Sequence, residues 1–377
     1  MQYTAKTFFG LESILADEID LLGGTVTEIG NRVVHFEGDL RTLYKVNLSA
    51  RTALRVLRPI LHFMAHNETV LYKRLRRFDW TKLMDIDQTF MVNAVVNSEY
   101  FTHSKYVGLK TKDAIVDLFR LKHNGQRPSV DTSDPEVVID IHCRGKEFTV
   151  SIDSSGQSLH RRGYRQSDRQ APLNEALAAG MILLSGWDKK KTFYDPMCGS
   201  GTLLSEAYLI ATNTPPRMDW QGFAFMNWDD YDEDLWDEIY TQAKLSIRPL
   251  SCDIIGSDRD RRQVWETRQL FENSDMSEVR ITLQDFFTSD PPSSPGLIVT
   301  NPPYGQRIGD REDMDAFYKE IGDTFKKSYS GWTAWVISAN KESLKKLGLR
   351  TSQRLQLYNG PLECKYHRYD MYRGSRD

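Results

Sequence analysis

The sequence has few cysteines and no long apolar run. Its 377 residues include four cysteines, which are widely spaced, without a CxxC pair or a Cys/His spacing typical of zinc sites. No stretch approaches the roughly 18 apolar residues that cross a bilayer. The N-terminus lacks a basic segment followed by an apolar core, which is the pattern of a secretion signal. We therefore expect no metal site and no membrane span, and we expect a reduced, cytoplasmic compartment.

The sequence also lacks a strong net charge. A formal charge of −3 argues by itself against a general nucleic-acid binder, while 40% hydrophobic and 27% charged residues are ordinary for a globular protein. The charge is unevenly distributed, because residues 1–170 contain 24 Lys and Arg against 21 Asp and Glu, whereas residues 171–377 contain 25 against 31. The densest basic run consists of Arg161, Arg162, Arg165 and Arg169. Since a polyanion needs only a local basic surface, the charge leaves nucleic acid open as a partner.

Hydrophobic periodicity in the first half predicts two small α+β units in tandem. Residues 1–60 read as strand, helix, strand, strand, helix and strand. A second unit follows, with a long helix from about Ser104 to Lys122 and strands at Val137–His142 and Phe148–Ile152. We find no catalytic constellation in the sequence of either unit. The stretch 154–172 is polar, basic and rich in turn residues, which is the composition of a linker.

After this stretch the pattern changes to alternating strands and helices. Strands are predicted at Thr192–Met197, Ile254–Asp258, Val279–Leu283, Leu297–Thr300 and Thr333–Ser338. Two further strand candidates, at 354–358 and 364–371, end the chain without a helix between them. The pattern predicts a mostly parallel sheet with helices on both faces and a terminal hairpin. The segment Met218–Leu250, rich in tryptophan and acidic residues, is interpreted as an insertion.

A glycine-rich turn follows the first strand of this second half. Asp195-Pro-Met-Cys-Gly-Ser-Gly-Thr202 joins the strand to a helix, whose N-terminus offers free N–H groups. A P-loop is excluded because no Gly-Lys-Ser/Thr follows, and a dinucleotide fingerprint would need glycine where Leu204 stands. The next strand ends at Asp258, where a carboxylate can accept from the hydroxyls of a ribose. The third leads into Asp285 and Phe286, a position suited to an adenine.

The fourth strand ends in an unusual tetrapeptide, Asn301-Pro302-Pro303-Tyr304. The two prolines fix the backbone and remove two N–H donors, so the loop presents mainly acceptors. The Asn301 oxygen and the Pro302 carbonyl can accept from one planar amino group, and Tyr304 offers a ring for stacking. Two such acceptors would favour the pyramidal amine and direct its lone pair at an electrophile. We interpret the loop as a site for a conjugated amine.

These motifs resemble those of a known family. Asp195–Thr202 followed by Asn301–Tyr304 is similar to the class I S-adenosylmethionine-dependent amino methyltransferases. More narrowly, residues 155–165 and 171–179 look like the THUMP-containing bacterial 23S rRNA guanine-N2 methyltransferases, and residues 103–117 look like the helix of their THUMP domain. The resemblance covers residues 1 to about 373.

The resemblance implies an α/β fold with several parts. A ferredoxin-like segment at 1–62 and an α+β THUMP RNA-binding domain at 63–155 would precede a basic linker at 156–172. A Rossmann-like class I methyltransferase domain would occupy 173–377. The longest members carry a second methyltransferase module, and we expect no such second activity here. The resemblance does not predict an oligomeric state.

The resemblance also implies which residues form the site. Residues expected to hold S-adenosylmethionine are Asp195, Pro196, Cys198, Gly199, Ser200, Gly201, Thr202, Asp258, Asp285 and Phe286, with Cys198 as a packing residue and not a nucleophile. The expected catalytic residues are Asn301, Pro302, Pro303 and Tyr304. The expected RNA-binding residues are Lys105, Lys110, Arg161, Arg162 and Arg165.

The implied reaction is a direct transfer of a methyl group to the exocyclic N2 of a guanine, expected in 23S rRNA. A tRNA guanine-N2 methyltransferase has a similar architecture and is an alternative. Methylation of adenine N6 is a second alternative, because Asn-Pro-Pro-Tyr is shared with adenine-specific DNA methylases. A third is an RNA-binding protein with a decayed methyltransferase domain, although none of the motifs is visibly damaged.

Overall fold

The computed structural model describes residues 1–164, 173–220, 222–304 and 311–372. Its helices are α1 (Glu12–Leu21), α2 (Leu40–Ser49), α3 (Glu68–Arg77), α4 (Ser104–Lys122), α5 (Glu175–Leu184), α6 (Thr202–Ala211), α7 (Glu233–Leu245), α8 (Arg261–Glu272), α9 (Arg311–Ser328) and α10 (Lys341–Lys345). Its strands are β1 (Gln2–Lys6), β2 (Thr25–Gly30), β3 (Val33–Glu37), β4 (Arg55–Met64), β5 (Thr89–Asn97), β6 (Ser129–Val130), β7 (Val137–Arg144), β8 (Glu147–Asp153), β9 (Phe193–Asp195), β10 (Ile254–Asp258), β11 (Arg280–Leu283), β12 (Leu297–Thr300), β13 (Thr333–Ser338), β14 (Thr351–Asn359) and β15 (Leu362–Asp370).

The two N-terminal units share one sheet. Within the described residues, eight strands follow the order β2-β3-β1-β4-β8-β7-β5-β6. The strand β4 joins the units, because it pairs with β1 through Arg55 to Leu57 and with β8 from Leu57 to Met64, antiparallel in both cases. The proposed boundary between residues 62 and 63 therefore falls inside a continuous strand. The sequence predicted both units, whereas their shared sheet depends on pairing between distant strands.

The second half forms a mostly parallel sheet, as the alternating pattern predicts. Seven described strands follow the order β11-β10-β9-β12-β13-β15-β14, and only the terminal hairpin is antiparallel. The central strands are short and apolar because both faces are covered, one by a core that includes α5, α6 and α8, the other by a core that includes α9. Because β9, β10 and β12 are parallel, their carboxyl ends meet at one edge of the sheet.

The insertion packs against the N-terminal half of the molecule. The Phe225 ring stacks on Tyr44 of α2 with 4.4 Å between centroids, and Trp236 of α7 meets the same tyrosine edge-on. Arg41 of α2 forms a bidentate pair with Glu238 of α7. The aromatic residues of the insertion thus have a structural explanation, since they fill part of the N-terminal core and connect the two halves.

A loop of the N-terminal half also packs into the second half. Leu11 is fully buried in the core around α5. A Cβ atom at Gly180 of α5 would lie 2.5 Å from Leu11 Cδ1, so a larger residue there would force the Leu11 side chain to move. A Cβ atom at Gly10 would lie 2.7 Å from the carbonyl oxygen of Gln356 in β14. These contacts fix the N-terminal sheet against the sheet that carries the predicted site.

Candidate active site

The glycine-rich turn after β9 lies beside the end of β10. The backbone N–H of Gly199 donates to Asp258 Oδ2 at 3.0 Å, and that of Cys198 donates to the Ser257 carbonyl at 3.0 Å. Asp258 Oδ1 accepts from the Asp260 N–H at 2.9 Å. Each carboxylate oxygen has a second lone pair, so Asp258 can still accept from two hydroxyls of a ligand.

The glycines of this turn differ in what surrounds them. Gly201 has a φ of +75°, and a Cβ atom there would lie 2.7 Å from Thr267 Cγ2. Gly199 has a φ of +48°, and a Cβ atom there would meet nothing within 4 Å among the protein atoms described. Packing therefore requires glycine at 201, whereas the space beside Gly199 is open. An open space next to backbone donors and a ribose-type carboxylate fits an adenosyl cofactor.

Asp195 connects the glycine-rich turn to the proline-containing loop. Its side chain is 2% exposed, and its Oδ1 accepts from Thr300 Oγ1 at 2.8 Å and from the Met197 N–H at 3.2 Å. Burial raises the pKa of Asp195 to about 7, and the nearby charge of Asp258 adds to this shift, while the two hydrogen bonds oppose it. The group therefore titrates near neutrality and joins the ends of β9 and β12.

The third predicted element of the cofactor site follows β11. The Gln284 N–H donates to the Asp258 carbonyl at 3.1 Å, which places the segment that begins at Asp285 next to Asp258. Asp285 Oδ1 accepts from the Phe287 N–H at 3.0 Å. The ring of Phe286 is buried against Phe325 and Tyr329, so the core fixes its position next to Asp285.

The proline-containing loop lies at the end of β12. Pro302 is buried, Asn301 and Tyr304 are half-buried, and Pro303 is exposed. The Tyr304 hydroxyl donates to Asn301 Oδ1 and so holds the carboxamide in place. Burial raises the pKa of Tyr304, which therefore remains a protonated donor. An amide oxygen has two lone pairs, so Asn301 can still accept from a substrate amine.

Cys198 and the other residues of the turn are held by contacts within the protein. Cys198 is 7% exposed, and burial raises its pKa well above the ordinary value, so it is a neutral thiol packed in the core. Pro196, through its carbonyl, accepts from Ser257 Oγ at 3.3 Å. Ser200 Oγ lies 3.4 Å from Thr202 Oγ1 at the start of α6. These contacts order the turn.

The predicted RNA-binding residues differ in their exposure to solvent. Arg161 is exposed, and so is Lys105, while Lys110 lies 5.8 Å from the ring centroids of Tyr72 and Tyr106. The prediction is wrong for Arg162, whose side chain is 1% exposed and is paired with the buried Glu206 of α6 at 3.3 Å. It cannot reach a phosphate without breaking this pair. Arg165 lies outside the described residues.

Sequence reasoning missed a group of cations on α3. The exposed side chains are Lys73, Arg74, Arg76 and Arg77. The helix packs beside α4, which carries Lys105 and Lys110, and we call the cations of these two neighbouring helices the α3–α4 basic face. The run Lys-Arg-Leu-Arg-Arg was the available signal, but its significance depends on a neighbouring helix about 30 residues away in the sequence.

Family comparisons agree with the three parts of the fold. Residues 162–368 match a family model described as the RMKL-like methyltransferase domain. The chain belongs to this family. In addition, residues 2–57 match the RlmL ferredoxin-like domain and residues 65–153 match the THUMP domain. These matches confirm the resemblance and the fold class inferred from the sequence.

Individual relatives are similar to this chain along most of its length. A Synechocystis protein named as a candidate RNA methyltransferase is 38% identical over 98% of this chain and 97% of its own length. The "Ribosomal RNA large subunit methyltransferase K/L" of Syntrophotalea carbinolica is 36% identical over 96% of this chain. The present chain spans only 52% of that relative. The crystal structure of SMU.472, a candidate methyltransferase complexed with SAH, has 29% identity and a TM-score of 0.88, and the match covers 99% of each chain.

S-adenosylmethionine is the cofactor of this RMKL-like methyltransferase. The methyltransferase family and the solved relative with bound SAH support this assignment, and the open space beside Gly199 and Asp258 fits it. In the part of the chain that the structure describes, no three His, Cys, Asp or Glu side chains form a group that could hold a metal ion. No helix in that part is long and apolar enough to cross a membrane.

Proposed function

We propose that this chain is an RNA methyltransferase that modifies the exocyclic N2 of a guanine, in 23S rRNA. The observation that carries the proposal is the meeting of two unlike loops at one edge of the sheet. The glycine-rich turn and Asp258 offer an adenosyl site, and the Asn301 and Pro302 oxygens offer a site for an amine beside it. The names of the two curated relatives support RNA, and one of them supports ribosomal RNA.

The chemistry follows from what each residue can do. When bound, S-adenosylmethionine supplies an electrophilic methyl group on a sulfonium sulfur. Asn301 Oδ1 and the Pro302 carbonyl would accept from the two N–H groups of the guanine amine and direct its lone pair. Tyr304 would stack on the extruded base, an interaction worth about 1–3 kcal/mol. Holding both reactants in line supplies much of the rate enhancement of such a transfer.

The α3–α4 basic face supports RNA as the partner. Lys73, Arg74, Arg77 and Lys105 are exposed, and none of them pairs with an acidic group among the described residues. Tyr106 and Leu109, both more than one third exposed, lie between Lys105 and Lys110 in the sequence of α4, and the Tyr106 hydroxyl donates to Glu68 of α3. Exposed cations mixed with aromatic rings are typical of surfaces that follow a nucleic-acid backbone.

The decisive experiment identifies the modified nucleoside. The full chain is incubated with labelled S-adenosylmethionine and either unmodified 23S rRNA or tRNA, and the RNA is digested to nucleosides for mass spectrometry. We expect N2-methylguanosine from the 23S rRNA. Label in N6-methyladenosine would show that the enzyme methylates adenine and not guanine. Label in the tRNA sample alone would show that the substrate is tRNA and not 23S rRNA.

The contribution of the basic face can be measured with a matched pair of variants. Lys73→Ala with Arg77→Ala removes two unpaired cations from α3, while Lys319→Ala with Lys326→Ala removes two from α9 that pair with Asp323. Removing one cation that binds a phosphate reduces the slope of log affinity against log salt by about 1. The α3 variant should therefore bind RNA more weakly with a smaller slope, and the α9 variant should not. If both variants bind RNA with the same affinity and the same salt slope, the α3–α4 basic face does not contact RNA.

A further inference from the structure

The proline-containing loop cannot be held in place by its own backbone donors. Pro302 and Pro303 have no N–H groups, so the peptides that precede them can form hydrogen bonds only through the carbonyl oxygens of Asn301 and Pro302. The Pro303 carbonyl, in the next peptide, is the adjacent acceptor through which the loop can be held. The loop nevertheless has to place the Pro302 carbonyl and Asn301 accurately, because both would hold the same amino group. A donor from elsewhere in the fold is therefore needed.

Tyr318 of α9 provides such a donor. Its side chain is fully buried, and its hydroxyl lies 3.3 Å from the Pro303 carbonyl oxygen and 2.7 Å from Ser338 Oγ at the end of β13. Burial raises the pKa of Tyr318 far above neutrality, so the hydroxyl retains its proton. The hydrogen bond reaches the loop from the side opposite to the core that contains Tyr304.

The direction of the hydrogen bonds follows from the groups involved. The Pro303 carbonyl can only accept, so when Tyr318 donates its single proton to it, Tyr318 accepts from the Ser338 hydroxyl at 2.7 Å, a shorter contact than the 3.5 Å from Ser338 Oγ to the Asn340 carbonyl. Ser338 Oγ in turn accepts from the Asn340 N–H at 3.0 Å. Each hydroxyl therefore donates once and accepts once, and the chain of bonds runs from Asn340 through Ser338 and Tyr318 to the loop. Ser338 is fully buried, so water does not compete for these bonds.

We infer that Tyr318, oriented by Ser338, is a positioning residue for methyl transfer that fixes the loop through the Pro303 carbonyl. This inference rests on the proposed role of Asn301 and Pro302 in holding the amine. Tyr318 touches neither reactant in this arrangement. It acts by holding the peptide between Pro303 and Tyr304, which directly follows the Pro302 carbonyl and leads into the Tyr304 ring, in one orientation.

The test compares two hydroxyl deletions in the full chain. Tyr318→Phe removes the donor to the loop, whereas Tyr329→Phe removes an equally buried hydroxyl in the same core, which faces Tyr194 of β9 instead of the proline-containing loop. Single-turnover methylation of 23S rRNA, the dissociation constant for S-adenosylmethionine and the thermal midpoint are measured for both. We expect Tyr318→Phe to lower the rate about 10-fold, the scale of one hydrogen bond, with cofactor binding unchanged. Tyr329→Phe should keep the wild-type rate.

A variant of Ser338 tests the same hydrogen bond at a second residue, so the test does not depend on the folding of Tyr318→Phe alone. Ser338→Ala should lower the rate in the same way, and the double variant should be no slower than Tyr318→Phe alone, because both act through one hydrogen bond to the loop. A Tyr318→Phe rate equal to wild type would overturn the inference. So would a loss of cofactor affinity or stability that accounts for the slower rate. Failure of the proposed function is distinct, because the wild-type chain itself would then leave 23S rRNA unmethylated.

Discussion

The two loops at the active edge solve the same problem with opposite chemistry. Both follow short buried strands, but the turn after β9 has glycine at 199 and 201, whereas the loop after β12 has proline at 302 and 303. The glycine turn fixes itself with its own N–H groups, since Cys198, Gly199 and Gly201 all donate to backbone or carboxylate oxygens. The proline loop is held by side-chain hydroxyls, from Tyr304 to Asn301 and from Tyr318 to Pro303.

The difference follows from what each loop must present. A cofactor with ribose hydroxyls is recognised by an acceptor such as Asp258, and the Gly199 N–H that holds this carboxylate requires a backbone that can approach closely. An amine to be methylated requires acceptors, and competing donors are undesirable there. Proline removes them. If this interpretation is right, changes in one loop should affect cofactor binding and changes in the other should affect the transfer step.

Asn301→Ala should have the largest effect and should act on the transfer step only. Losing a group that orients the reactants mainly in the transition state costs roughly 10²–10³-fold in rate, by analogy with the loss of an oxyanion-hole donor. Single-turnover rates and calorimetry with S-adenosylmethionine should show a slow variant with nearly normal cofactor affinity. A large loss of cofactor affinity would contradict the division between the loops.

Asp258→Ala should do the reverse. Removing a charged acceptor for ribose hydroxyls should weaken cofactor binding by about 1.5–3 kcal/mol, as calorimetry would measure. The matched control is Asp260→Asn, which keeps an oxygen at the N-cap of α8 and lies two residues away. An unchanged dissociation constant for a folded Asp258→Ala variant would remove this residue from the ribose site.

Two variants of Tyr304 distinguish the contribution of its ring, through stacking, from that of its hydroxyl. Tyr304→Ala should weaken the productive RNA complex by about 1–3 kcal/mol, the value of one stacked base. Tyr304→Phe keeps the ring and loses only the bond to Asn301, so its rate should stay within about 10-fold of wild type. Kinetics at varied RNA concentration would measure both. Equal losses in the two variants would mean that the hydroxyl, and not the ring, matters.

Asp195→Asn should change the pH dependence of stability, because Asp195 joins the two loops. Its pKa is raised from 3.8 to about 7, so between these pH values the folded protein keeps a proton that the unfolded chain releases. The free energy of unfolding therefore falls as pH rises through this window, by about 1.4 kcal/mol per pH unit. In the Asp195→Asn variant this pH dependence is absent. Urea unfolding of the cofactor-free chain at pH 5 and pH 6 would measure it.

The control for this measurement is Asp188→Asn. Backbone bonds from Lys191 and Lys190 lower the pKa of Asp188, so its contribution changes only at pH values below this window. The stability of Asp195→Asn relative to wild type should rise from pH 5 to pH 6, whereas that of Asp188→Asn should stay constant. A flat difference for Asp195→Asn would mean that its carboxylate is ionised throughout.

Local signals predicted most of the secondary structure of the second half. The strands β10, β12 and β13 begin and end at the predicted residues, because each strand is a short apolar run of adjacent residues. The helix α5 was not predicted. Nearly all of its residues are buried, so it lacks the one-sided periodicity by which an amphipathic helix is recognised.

The sequence by itself determined the chemistry of the two loops and the fold class. Glycine, proline, asparagine and aspartate act through properties of single residues and their neighbours, so the motifs at 195–202 and 301–304 could be interpreted without coordinates. Only the tertiary structure decided the roles of Arg161 and Arg162. Both positions are arginine, yet Arg161 is exposed, whereas Arg162 is buried and paired with Glu206 of α6. A buried charge needs a partner, and that partner lies 44 residues away.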